Sequence, residues 1–328
     1  MPLPLQLLIF NIFVLALLAI DLGVFHRKAH VVGLREAAIW SAVWISLSLL
    51  FNVGVFVLMG SQKGTEFLTA YTIEKSLSVD NIFVFVMIFS YFAVPAQYQH
   101  RVLFYGILGA LIMRGIFIGA GLGLLELFHP IIYVFGAFLV LTGIRMATQR
   151  QAEIHPERNP ILRLARRFFP VTPDYAEQRF VLRQAGKLMV TPLLLVLIVV
   201  ETTDLVFAVD SIPAVIAVTR DPFIVYTSNV FAILGLRALY FLLAGVMGYF
   251  RYLKVGLSVV LCFVGVKMLL SEIYEIPAFV ALGTVAAILA VAILASLIAA
   301  RREQRAGAAA NTATFEGAGQ PPDADPEP

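Results

Sequence analysis

The sequence predicts an all-α polytopic membrane protein of about nine transmembrane helices that contain a 3+3 inverted-topology repeat. Three observations carry this prediction. First, of 328 residues 60% are hydrophobic and only 14% charged, with a mean hydropathy of +0.89, whereas a soluble domain carries roughly 25% charged residues. Second, apolar runs of about 20 residues, the length that crosses a bilayer, recur along the whole chain. Third, two of those runs carry carboxylates in matching places.

On the length rule the spans fall near 5–25, 36–59, 69–92, 102–124, 130–147, 189–218, 223–247, 253–271 and 277–300. They group into two amino-terminal helices (1–60), a first three-helix unit (61–147), a linker (148–188), a second three-helix unit (189–272), a last helix (273–304) and a tail (305–328). The amino terminus lacks a basic stretch and its apolar run holds Asp21, so it reads as a retained span and not a cleaved signal peptide.

Basic residues set the orientation. Arg27, Lys28, Arg35, Arg101, Arg251, Lys254, Arg301, Arg302 and Arg305 flank one set of span ends, and the linker adds eight more from Arg150 to Lys187. Lys63 and Arg220 stand on the other side, each with an acid nearby (Glu66, Asp221). The positive-inside rule then expects a multi-pass protein of the cell's inner membrane with its amino terminus outside and its carboxyl terminus cytoplasmic. The surplus of +3 charges is a topology signal, so the partner is the lipid bilayer and not nucleic acid. The single cysteine, Cys262, excludes a disulfide framework.

The linker holds Pro156, Pro160, Pro170 and Pro173 among its arginines. It reads as a solvated connection whose Ile161-to-Phe169 part is a candidate amphipathic helix on the anionic inner surface, and as a candidate dock for a cytoplasmic partner. The tail, rich in Ala, Gly, Pro and Asp, is expected to be disordered.

A shift of 130 positions, from Asp80 to Asp210, lays Val79-Asp80-Asn81-Ile82 on Val209-Asp210-Ser211-Ile212 and Glu74 on Asp204. Ile107-Leu108-Gly109 followed by Arg114 parallels Ile233-Leu234-Gly235 followed by Arg237, and Gly143-Ile144-Arg145-Met146 parallels Gly265-Val266-Lys267-Met268. Three spans per unit is odd, so the second unit enters from the opposite side. This is the plan of many secondary transporters, with the binding site near the midplane.

The chemistry lies in ionisable groups at membrane depth, which are costly and by default functional. The acids are Asp21, Glu74, Asp80, Glu201, Asp204 and Asp210, and the bases Lys75, Arg114 and Arg237. The excess of acids calls for protonation, a bound cation, or an alternation of the two. On a regular helix six residues turn about 600°, so Glu74 and Asp80 point some 120° apart, as do Asp204 and Asp210, while Glu201 and Asp204 share a face. Pro213 is expected to break its helix beside Asp210. The central site is expected where Asp80 and Asp210 meet, with Asn81 and Ser211 adding neutral oxygens and Glu74 and Asp204 displaced toward opposite faces as access acids. Arg114, Arg237 and Lys75 are counter-charges. The competing reading makes acid–arginine pairs purely structural.

Oxygen ligands suit hard divalent cations such as Mg²⁺, Ca²⁺ and Mn²⁺. His26, His30, His100, His129 and His155 lie at span ends or in connections, which argues against a dedicated zinc or copper site. Met87 and Met113 are candidate soft ligands that would favour Mn²⁺, against a packing role. Asp21 and Glu36 read as interfacial.

The segments Glu74-Lys75-Ser76-Leu77-Ser78-Val79-Asp80-Asn81 and Asp204 to Pro213 resemble the two signature segments of the TerC family of integral membrane proteins, and Asp21-Leu22-Gly23-Val24-Phe25-His26-Arg27-Lys28 resembles its first-span ending. The resemblance covers about residues 15–275. That family is named for association with tellurium resistance, and its better-supported members resemble manganese exporters. The resemblance implies a Mn²⁺ efflux carrier with membrane acids as ligands and no resident cofactor. The expectation is therefore a divalent-cation exporter, Mn²⁺ foremost, coupled to protons or the membrane potential. Its rivals are a Ca²⁺ or toxic-metal carrier and a non-transporting scaffold in a tellurium or metal stress-response complex. An enzyme is not expected: Lys75 and Ser76 are adjacent, which on a helix does not put them face to face.

Overall fold

In a computed structural model of the chain, residues 2–20, 32–128, 130–148, 170–176, 179–184, 187–244, 252–271, 273–274 and 276–317 are described, with 80, 83, 184, 187 and 300–317 described as backbone only. The helices are α1 (Leu3–Ile20), α2 (Leu34–Met59), α3 (Ser61–Tyr91), α4 (Ala96–Leu127), α5 (Ile131–Thr148), α6 (Pro192–Ile216), α7 (Pro222–Leu234), α8 (Leu236–Ala244), α9 (Leu253–Leu269) and α10 (Ala278–Gly317). Taken with α7 and α8 as one interrupted span, the order matches the nine predicted crossings. Seven of the nine segments are long and apolar enough to cross a membrane. The other two are α3, interrupted by Glu66, Glu74, Lys75 and Asp80, and α9, which has 17 residues. Apolar side chains such as Val57, Leu58, Ile112 and Leu127 project from the outer helix faces, a surface that suits lipid and not water.

The connections are tight. Gly60 alone joins α2 to α3 with φ at +93°, a conformation open to glycine. The ends expected on the outer side come together structurally: Leu3, Lys63, Glu66, Ile132, residues 216–222, Lys267, Met268 and residues 276–279 contribute to one open vestibule of ≈ 1120 Å³. This shared wall is what alternating crossings of nine segments produce.

The helices pair in a pattern that exchanging the two units would generate. Helix α3 packs on α7 as α6 packs on α4, while α3 with α6, α4 with α7 and α5 with α9 pack on their own counterparts. The α5–α9 crossing is the closest. A Cβ on Gly143 would lie 2.7 Å from the Ser258 carbonyl oxygen, and one on Gly265 would lie 2.8 Å from the Gly136 carbonyl oxygen. In the alignment of the two units Gly143 matches Gly265 and Gly136 matches Ser258, so these two contacts are equivalents. Small residues let membrane helices approach where lipid offers no hydrophobic drive. Outside this centre, α2 packs on α3 and α8, α10 packs on α3 and α9, and α1 is held by Phe10 among Phe51, Phe223, Tyr226 and Phe231 and by Tyr226 Oη donating to Asn11 Oδ1 at 2.7 Å.

Four expectations are corrected. Helix α6 runs through Pro213 to Ile216 without a break; the proline lies in the final turn, where few helical bonds remain to be lost. The interruption falls at Gly235 between α7 and α8. The linker is not wholly irregular, because its carboxyl part forms an antiparallel hairpin of β1 (Val181–Gln184) and β2 (Lys187–Val190). Val171, Tyr175, Phe180 and Val190 pack it against the bundle, and Tyr175 Oη donates to the Phe92 carbonyl at 2.7 Å. Helix α10 continues past 305 to Gly317: the lack of large apolar residues removes packing, but Ala, Arg, Glu and Gln are strong helix formers. The candidate helix 161–169, the rest of the linker from 149, residues 21–31 with Asp21, His26 and His30, and residues 318–328 lie outside the described residues, as do His129 and His155.

The glycine geometry gives a contrast that can be measured. Gly143→Leu should lower the thermal stability of the detergent-solubilised protein by more than about 3 kcal/mol, since overpacking meets backbone. Gly119→Ala, where a Cβ meets nothing within 4 Å, should be neutral or stabilising by up to about 1 kcal/mol. Equal effects would contradict the close crossing.

Candidate functional site

Arg114, near the middle of α4 and 2% exposed, is the largest fully buried side chain. Its Nη1 donates to Glu74 Oε1 and reaches Ser211 Oγ at 3.1 Å and Asn229 Oδ1 at 2.8 Å. Its Nη2 lies 3.6 Å from Asp204 Oδ1, and Asn229 Nδ2 donates to Glu74 Oε2 at 3.3 Å. Glu74, Asp204, Ser211 and Asn229 are all buried. One guanidinium thus gathers α3, α6 and α7 around α4 at mid-depth. The expectation that Glu74 and Asp204 stand apart toward opposite faces is replaced by a shared contact. A long, two-pronged side chain spans helices in a way that spacing along one helix does not reveal.

Beside this cluster a cavity of ≈ 40 Å³ is lined by Glu74, Leu77, Asn81, Met146, Phe207, Asp210, Ser211 and Leu261. It exceeds the space one water needs and draws on both units. Asp210 Oδ1 also accepts from Thr142 Oγ1 at 3.5 Å. Asp204 lies outside this cavity, in a smaller one of ≈ 10 Å³ shared with Arg237, Val200 and Leu236. The side chain of Asp80 lies outside the described residues. Among the described residues no three of His, Cys, Asp and Glu converge in a metal-holding group, so a cation in the cavity would rely on Asn81, Ser211 and other neutral donors beside the carboxylates.

The remaining candidates sit elsewhere. Glu201 is half-buried with its carboxylate against the bare backbone of Gly109. Lys75 packs on Gly235, and its Nζ donates to the Ala232 carbonyl at 3.2 Å, at the α7–α8 interruption. These two glycines are equivalents in the repeat alignment, and each makes room for a charged side chain from the first helix of the other unit. Arg237 lies 3.0 Å from His100 Nε2 and lines the small cavity it shares with Asp204. Met87 is exposed on the bundle surface and Met113 is outside the cavity lining.

Sequence reasoning missed Asn229, Thr142 and Met146. Asn229 carried a signal, an amide inside an apolar run. Thr142 and Met146 carried none, because threonine and methionine are ordinary in membrane helices.

The network is incomplete: Arg114 Nε and Asp204 Oδ2 are buried without a hydrogen-bond partner, at about 1–3 kcal/mol each. Removing the arginine would strand two carboxylates. Arg114→Gln should cost about 3–5 kcal/mol of stability, measured by thermal unfolding in detergent. Adding Glu74→Gln to it should restore part of that loss. A double variant less stable than wild type by the sum of the two single effects would show that no such coupling exists.

Comparison with known proteins agrees with the geometry. Residues 59–304 match the Integral membrane protein TerC family. An uncharacterized membrane protein of Myxococcus xanthus is 55% identical over 292 residues, covering 89% of this chain and 92% of that one. The "Putative membrane-bound redox modulator Alx" of Escherichia coli K12 is 50% identical over 289 residues, covering 85% and 90% respectively. An uncharacterized membrane protein of Rickettsia bellii is 39% identical over 291 residues, covering 89% and 96%. No solved structure matches. With the signature acids on facing helices and the match running through both units, the chain belongs to the integral membrane protein TerC family.

Proposed function

We propose that the protein is a carrier, not an enzyme, that exports a divalent cation, Mn²⁺ foremost, through two units related by a two-fold axis in the membrane plane. The cavity that brings Asp210, Ser211, Glu74 and Asn81 together inside the helix bundle supports this reading, because it joins acids of both units where a bare carboxylate would be costly. In the empty carrier Arg114 pairs with Glu74 and lies 3.6 Å from Asp204, balancing one of the two charges. A cation entering beside Asp210 competes with it for Glu74, and the site alternates between a tethered and a transported charge. Protons or the membrane potential supply the coupling. The site has no resident cofactor.

The open vestibule fits a carrier facing the side of the α1 amino terminus. It ends at Ile132, Ile216 and Met268, in the same apolar cluster as Leu77 and Leu261 of the cavity wall. That layer separates the cation site from the vestibule. The relatives' name points to redox modulation; a dithiol–disulfide exchange within this chain is not available to one cysteine, whereas movement of a redox-active metal needs none.

Purified protein in inside-out vesicles should accumulate Mn²⁺ saturably, and Asp210→Asn should abolish accumulation while leaving insertion intact. Dissipating the proton gradient and the potential separately should identify the coupling. Well-inserted protein that moves no cation would replace the carrier with the scaffold, for which Asp210→Asn is silent and loss of the linker is not.

A further inference from the structure

We infer that Met146, with Thr142 one turn before it on α5, is a specificity-determining ligand that selects first-row transition-metal cations over Mg²⁺ and Ca²⁺; the inference rests on the carrier reading. Six of the cavity's eight lining residues come from α3 and α6, but Met146 comes from the third helix of the first unit. Its thioether is the one sulfur among groups that otherwise offer oxygen or hydrocarbon. Thr142 is bonded to Asp210 on the same helix face, four residues from Met146, so α5 presents a hydroxyl to the carboxylate and the Met146 side chain to the cavity wall.

The donor count gives the sulfur its role. Of the groups that line the cavity, Glu74 and Ser211 are held by Arg114 and Asp210 accepts from Thr142. An entering cation therefore meets oxygens of Asp210, Asn81 and Ser211, competes with Arg114 for Glu74, and has Met146 beside it. Mg²⁺ demands near-ideal octahedral oxygen coordination and Ca²⁺ takes 6–8 oxygens; a thioether in the shell penalises both. A first-row transition-metal dication accepts the mixed set. The methionine at the equivalent place in the second unit, Met268, lines the vestibule instead, so the two units divide this position between selection and entry.

The test is competition for Mn²⁺ accumulation in vesicles, with Mg²⁺ and Ca²⁺ as competitors, for the wild-type protein, Met146→Leu, Thr142→Val and Met87→Leu. Wild type should resist both competitors. Met146→Leu, which preserves volume, should lose that resistance by about tenfold, equivalent to ~1.4 kcal/mol of discrimination, while still moving cations. Thr142→Val should weaken apparent affinity for every cation without changing their ratio, and Met87→Leu should change neither. Unaltered competition in a transporting Met146→Leu protein would overturn the inference and leave the carrier standing. If Met146→Leu inserts poorly, Met146→Gln provides the second reading, because an oxygen in place of sulfur should raise Mg²⁺ competition further, and an unchanged ratio there would also overturn it. Absence of transport by wild type would overturn the carrier and this inference together.

Discussion

A guanidinium buried among two carboxylates at the centre of a membrane protein constrains everything packed round it. Burying an arginine or a carboxylate away from an opposite charge costs several kcal/mol per ion, so Arg114, Glu74 and Asp204 each depend on the others' position. The helices that supply the three groups are therefore bound to meet. α3 brings Glu74, α6 brings Asp204 and Ser211, α7 brings Asn229, and α4 brings the arginine itself. The first unit supplies the base and one acid, the second supplies the other acid, so the charge cluster couples the two units. A purely structural bridge would saturate its donors and acceptors. This one leaves Arg114 Nε and Asp204 Oδ2 without partners, a cost more easily understood where the arrangement has to change.

The α5–α9 crossing solves a different problem. It holds no charge, and its closeness comes from glycines meeting carbonyls. Van der Waals contact between backbones is the strongest packing available where lipid is as apolar as leucine, which gives the two third helices a rigid contact. Met146 and Thr142 are delivered to the cavity from that rigid pair, so their distance from Asp210 is set by the stiffest part of the bundle. A selectivity group belongs there, since cation discrimination depends on how firmly ligand distances are held.

Much of this architecture was legible in the sequence, because span length and acid placement follow from the bilayer itself. An apolar run of about 20 residues has one use, and Glu74, Asp204 and Asp210 stand out against such runs. What the sequence could not show was how helices face one another. It placed Glu74 and Asp204 apart because their separation from Asp80 and Asp210 along each helix suggested it, whereas one arginine reaches both. Proline pointed to a break at 213, but a proline in a last turn has little helix left to break, and the interruption came at Gly235, where Lys75 needs the space. Met146 lines the cavity while Met87 faces outward, and nothing in a linear run distinguishes the two. The hairpin before α6 was hidden by the arginines around it.

The same shift of 130 positions that matches Asp80 to Asp210 also matches the two ends of the pathway, and they differ chemically. Residues 61–66 at the start of α3 correspond to 191–196 at the start of α6, and 216–219 to 86–89. At the vestibule these positions are polar: Lys63 bridges Glu66 at 3.0 Å and Asp221 at 3.2 Å, and Thr219 donates to Glu66 at 2.6 Å. At the opposite end the equivalents of Lys63, Thr65, Glu66 and Thr219 are Leu193, Leu195, Val196 and Phe89, all buried in one apolar cluster. Separating the first set means parting ion pairs, and separating the second means exposing hydrocarbon, at about 25 cal/mol per Å². Positions that the sequence shift equates therefore hold their helices together by unlike interactions, charge at one end and apolar burial at the other.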